Sequence, residues 1–118
     1  MSIENPQSLP LEARAEMLLL SLSVPPHLKG FRYLVHAILL SIEDESRLGN
    51  IMTGLYDRIA ADYSVTGFSV ERNARTALRQ VPPELCHEIL HAPASRGDKA
   101  ISVRHFVSLC VVKLKYAL

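Results

Sequence analysis

Tryptophan is absent, aromatic residues make up 6% of the chain, and only two cysteines occur among 118 residues. Two cysteines close at most one bridge, which excludes a small disulfide-stapled scaffold and leaves apolar burial to hold the fold. Cys86 and Cys110 are therefore read as small core residues. Long apolar runs are missing too. The longest, Met17 to Leu20 with Leu22 and Val24 just beyond, falls far short of the roughly 20 residues a membrane-spanning helix needs. No basic leader with a small-residue cleavage site opens the sequence, which carries Glu4, Glu12 and Glu16 instead, so a cytoplasmic protein is expected. Net charge is also scarce, at +1. That excludes a polybasic tail but hides an asymmetry, because residues 1–60 carry more acidic than basic side chains and residues 61–118 the reverse. Strand signals are lacking as well: no β-branched alternating run is bounded by Asn-Gly or Asp-Gly.

Helical periodicity is present from end to end, and 48% hydrophobic residues suffice for one core. The fold expected is all-α, a single domain over residues 10–118 preceded by a flexible segment, 1–9. Leu11, Ala15, Leu18, Leu19 and Leu22 form the buried stripe of a first helix, which Pro10 opens and which ends near Val24. Pro25-Pro26 forbids continuation, and Phe31, Leu34, Val35, Ile38, Leu39 and Ile42 form a second stripe, closed by Glu43-Asp44-Glu45. Gly49-Asn50 punctuates the chain. Ile51, Met52 and Leu55, then Ile59, Ala60 and Tyr63, read as two short helices or one bent at Tyr56-Asp57. A helix over 67–81 is stopped by Pro82-Pro83, and a short one from Pro83 to Ala92 is stopped by Pro93. Residues 94–100 read as an exposed loop. Ser102 then caps a last helix with a core face of Val103, Phe106, Val107, Cys110, Leu114 and Ala117.

The segment from Leu55 to Val81 carries a mechanism. Successive side chains set about 100° apart place Val70, Ala74, Ala77, Leu78 and Val81 on one inward arc. Phe68, Arg72, Arg75, Thr76 and Arg79 fall opposite, flanked by Ser69 and Asn73. The amphipathic stretch from Ile59 to Tyr63 lies directly upstream, and residues 64–67 match the tight turn of a helix-turn-helix, with Ala60 small enough to let two helices approach. In that motif the second helix enters the major groove, where an arginine fork bonds guanine O6 and N7 or a phosphate.

The run Val24-Pro25-Pro26-His27-Leu28-Lys29-Gly30-Phe31-Arg32-Tyr33-Leu34, then Leu48-Gly49-Asn50-Ile51, Leu55-Tyr56-Asp57-Arg58-Ile59-Ala60 and Ser69-Val70-Glu71-Arg72-Asn73-Ala74-Arg75, resembles the C-terminal DNA-binding effector domain of the stage zero sporulation response regulator family. With the closing helix, Phe106 to Leu114, the resemblance spans residues 10–118. It implies a six-helix bundle containing a helix-turn-helix, sequence-specific binding of duplex DNA in transcriptional control of sporulation, base readout by Glu71, Arg72 and Arg75, and phosphate or flanking contacts at His27, Lys29, Phe68, Ser69, Asn73, Thr76 and Arg79. The partners implied are double-stranded DNA, a second copy on an adjacent half-site, and a full-length response regulator or RNA polymerase. Family members normally carry a receiver domain ahead of this one. Only a handful of residues precede the first helix here, so the usual phosphorylation is not expected to act on this chain. The early Pro82-Pro83 stop, the lack of tryptophan and the identities of Phe68, Asn73 and Thr76 also depart from the family pattern. A protein-interaction module that keeps the fold without DNA binding is the alternative.

One competing motif stands at His87-Glu88-Ile89-Leu90-His91, which has the His-Glu-x-x-His spacing of zinc metallopeptidases. Gly97 occupies the position where an extended pattern would supply a third histidine, and only Asp98 or His105 is offered downstream. Neither a Gly-rich phosphate loop nor a nucleophile elbow is present. No enzyme activity, cofactor or metal is expected.

Overall fold

The computed structural model describes residues 9–92 and 101–116, in which α-helices and short irregular helical turns pack around one core and no strand occurs. The all-α bundle is as read from the sequence. Helix α1 runs Leu11–Ser21 behind Pro10. It stops three residues before Val24 because the chain reverses there: the Ser23 amide donates to Leu20 O and the Val24 amide to Leu19 O, both at 3.0 Å. Ser23 takes the left-handed conformation this closure requires, at φ 69°. Leu22 and Val24 turn into the core just behind it.

Helix α2, Lys29–Glu43, is the centre of the bundle and packs against α1, α4 and α6. Its buried face is wider than the predicted stripe, since Tyr33 and Ala37 are buried while Leu39 and Ile42 are half-buried. Asp44 ends α2 and caps the next turn, accepting from the amide and hydroxyl of Ser46. Those two bonds hold its carboxyl below the usual range. The Gly49-Asn50 punctuation is absorbed into a 3₁₀ turn, Glu45–Asn50. A π turn, Met52–Tyr56, follows and runs directly into α3, Asp57–Tyr63, so the predicted bend at Tyr56-Asp57 is a change of helical winding. Within the π turn the Gly54 carbonyl accepts from the Arg47 guanidinium at 3.1 Å.

Helix α4 spans Gly67–Leu78, α5 Pro83–Leu90 and α6 Val103–Tyr116. The predicted inner arc of Val70, Ala74, Ala77, Leu78 and Val81 is buried throughout. The helix itself ends three residues short of Val81, however. The Gln80 and Val81 amides donate to Ala77 O and Leu78 O, tightening the chain into i to i+3 turns before Pro82. In α6 the Ser102 hydroxyl accepts from the His105 amide as the expected N-cap, and Val111 joins the buried face. The predicted loop at 94–100, the stop at Pro93, all but the last residue of the predicted flexible segment 1–9, and Ala117 lie outside the described residues.

The α2–α4 crossing is set by Gly30. A methyl at this position would lie 2.7 Å from the Ala77 Cβ and 2.8 Å from the Asn73 carbonyl carbon, and would overlap the Asn73 carbonyl oxygen. Backbone therefore meets backbone, and α4 sits closer to α2 than any side chain would allow. Gly30→Ala should lower stability by about 1–2 kcal/mol, the overpacking cost outweighing alanine's helix propensity. The check is a urea titration at constant m. A midpoint equal to or above that of the wild type would show that this glycine does not set the spacing.

Candidate nucleic-acid interface

Helices α3 and α4 are joined by residues 64–66, and this turn is built without glycine at its left-handed position. Ser64 takes φ 56°, and its amide and that of Val65 both donate to Ala60 O, closing α3. Thr66 then caps α4 by accepting from the Ser69 amide at 3.1 Å. Ala60 is buried between the two helices, as its size suggested. At the start of α4, Gly67 rests against the Asp57 carboxylate and Met52, whose sulfur would lie 3.0 Å from a Cβ there. The first turn of α4 is thus seated on α3 and the π turn.

With its inner arc fixed, α4 presents Phe68, Arg72, Arg75 and Thr76 to solvent, and Arg79 follows at its C-terminal end. Phe68 is 76% exposed, an unusual state for a phenyl ring on an otherwise polar face. The side chains differ in how they are held. Arg75 is ion-paired with Glu71 one turn earlier. Asn73, expected on the flank, spends its amide inside the helix, donating to Ser69 O at 2.8 Å. Arg72 and Arg79 have no hydrogen-bond or ion-pair partner among the described residues. His27 and Lys29 stand exposed where α2 begins, at a helix start that no side chain caps.

Sequence reasoning missed the surroundings of the C-terminal half of α4. A cleft of about 460 Å³ opens there, lined by Glu71, Arg75 and Arg79 of α4, Tyr56 of the π turn and Arg104 of α6, over an apolar floor that includes Leu78. Arg104 comes from two helices further along the chain, so no periodicity could have joined it to α4. Burial pushes the Tyr56 phenol up to about 12, with the Glu71 carboxylate adding to the effect and Arg75 and Arg104 opposing it.

The His-Glu-x-x-His motif is not laid out as a metal helix. Helix α5 ends at Leu90, and His91 lies beyond it in the left-handed region at φ 59°, off the turn that would align it with His87. The His87 ring lies with Nδ1 2.7 Å from Ala92 O; because a carbonyl only accepts, Nδ1 carries the proton and closes the helix end. Among the described residues no three His, Cys, Asp or Glu side chains are grouped to hold a metal. The two cysteines are free and buried, and burial raises both thiols.

The Tyr56 shift has a signed consequence. In the unfolded chain the phenol ionises near 10, whereas in the folded protein it stays neutral up to about 12. Its contribution is complete below pH 10 and is lost as pH rises through about 12. Tyr56→Phe should therefore flatten the fall of the denaturation midpoint across this alkaline window. Parallel alkaline limbs in the two proteins would contradict the assignment.

The family model described as the C-terminal part of sporulation initiation factor Spo0A matches residues 15–112, which takes in most of α1, all of α2 to α5 and most of α6. Among the described residues no helix is long and apolar enough to cross a membrane. An all-α bundle, a helix-turn-helix whose second helix faces solvent with arginines, and a match over most of the sequence agree: the chain belongs to the family of C-terminal DNA-binding domains of the sporulation initiation factor Spo0A.

Proposed function

We propose that this chain is a sequence-specific duplex DNA-binding regulator of transcription that reads the major groove with α4. The observation that carries the reading is Arg72. It is a guanidinium fork at the middle of the exposed face, held by nothing else in the described protein, on a helix whose distance from the core is fixed at Gly30. A guanidinium in this state is ready for guanine O6 and N7 without first breaking a bond.

Glu71 and Arg75 work as a unit. The pair is solvent-exposed on one side, so exchanging it for DNA contacts costs only about 0–1 kcal/mol. Glu71 then accepts from a cytosine amino group, and Arg75 reads guanine or grips phosphate. Phe68, on the first turn, is placed for a thymine methyl, and Ser69 and Thr76 flank it. Asn73 serves chiefly to brace the helix through Ser69 O. Lys29 and His27, at the open start of α2, give a phosphate contact that fixes register. A domain of this size makes few phosphate contacts, so useful affinity calls for two copies on adjacent half-sites. The activity belongs in the cytoplasm with the chromosome, and a full-length response regulator or RNA polymerase is the protein partner class that fits it.

The test is selection of binding sites from random duplex DNA, followed by anisotropy titration of the selected site. Arg72→Ala and Arg75→Ala should each weaken specific binding by about 1–3 kcal/mol and relax preference at one base position. Absence of any association at low ionic strength, or a double variant that binds as well as the wild type, would remove the reading. In that case a stable complex with a full-length regulator, lost in Phe68→Ala, would establish the protein-interaction alternative.

A further inference from the structure

The arginines among the described residues divide into two groups. Arg14 donates to Leu114 O, Arg32 pairs with Glu16 and Glu12, Arg47 donates to Gly54 O, Arg58 pairs with Asp62, and Arg75 pairs with Glu71. Arg72, Arg79 and Arg104 have no hydrogen-bond or ion-pair partner among the described residues. The first two project from α4. The third stands on the first turn of α6 and lines the same cleft as Arg79. Among the described residues the unpartnered guanidinium groups thus stand on α4, at its C-terminal end and at the start of α6, two of them around one cleft, although they come from distant parts of the chain.

We propose that Arg104 is a DNA-contacting residue that forms, with Arg79, a clamp on a backbone phosphate beside the recognition helix; this rests on the reading of α4 given above. A recognition helix meets base edges with its N-terminal part, and its far end rises toward the groove wall. Arg79 is seven positions beyond Arg72, about 10 Å along the axis at 1.5 Å per residue, and so reaches the wall rather than the bases. Across the cleft from it, the start of α6 adds partial positive charge of its own to that of Arg104. Among the described residues the one carboxylate in the cleft lining, Glu71, is already tied to Arg75. The apolar floor at Leu78 and Val103 limits screening by water. Two guanidinium forks lining one cleft supply the positive charge and paired donors that a phosphodiester takes. Phosphate contacts position a protein without reading sequence, which makes Arg104 a register-setting residue.

The experiment is a salt series of anisotropy titrations on the selected duplex and on a scrambled one. Arg104→Ala should weaken both about fivefold and reduce the slope of log affinity against log salt by about 0.9, the value for one lost phosphate contact. Arg104→Lys should keep most of the slope. Lys115→Ala removes one charge at the opposite end of α6, about 16 Å away, and should leave the slope unchanged. Wild-type slope and affinity in Arg104→Ala, or a loss confined to the selected site, would overturn the clamp while leaving α4 readout standing. Failure of the wild type to bind either duplex would overturn both.

Discussion

The position of the exposed face of α4 depends on the contact between α2 and α4 at Gly30. A recognition helix works only if its backbone stands at a fixed height above the body of the domain, because side chains reach base edges over a few ångströms. Gly30 fixes that height by letting the Asn73 and Ala77 segment of α4 rest on the α2 backbone. The small residues Ala74 and Ala77 repeat the same device along α4, and Val70 and Leu78 fill the ends of the contact. The helix is thus anchored in its middle by close backbone approach and at its ends by larger side chains. Its first turn is also seated by Gly67 on α3 and the π turn.

The outer face then divides into engaged and unengaged charges. An exposed ion pair such as Arg75 with Glu71 adds little to stability, but it pre-orients both side chains along the helix face. Arg72 is left to solvent, with no competing acceptor among the described residues. A surface built only for solubility would scatter such groups around the molecule. Among the described residues, protein acceptors take up the arginines on α1, α2, α3 and the 3₁₀ turn, and the unpartnered ones stand on α4, at its end and at the start of α6.

Much of this was legible in the sequence because helix faces are local. Inward Val70, Ala74, Ala77, Leu78 and Val81 and outward Phe68, Arg72, Arg75 and Arg79 follow from 3.6-residue periodicity alone, and Ser102 follows from capping chemistry. Helix ends were less legible. Periodicity continues to Val24 and Val81 because both side chains are buried, yet the backbone has already left the helix at Ser21 and Leu78. A buried residue just past a helix end looks the same in sequence as one inside it. The His87 to His91 spacing misleads for a related reason: a five-residue pattern does not reveal that its last member stands in the left-handed region. Gly30 stands in the first turn of α2, but nothing local in the sequence shows that α4 lies on it. Arg104 was invisible as a site residue, since only tertiary packing carries it to the end of α4.

The bond from Arg14 to the Leu114 carbonyl joins the first helix to the last across nearly the whole chain. Phe106, Val107 and Cys110, all fully buried, reach the centre of the bundle from that same last helix. During synthesis the first five helices consequently leave the ribosome with a large apolar gap beside α2, and the domain cannot close until α6 has emerged. Until then α1 and α2 expose the surface that α6 will cover. The nascent chain is therefore most vulnerable to aggregation and proteolysis in the interval between the emergence of α2 and that of α6.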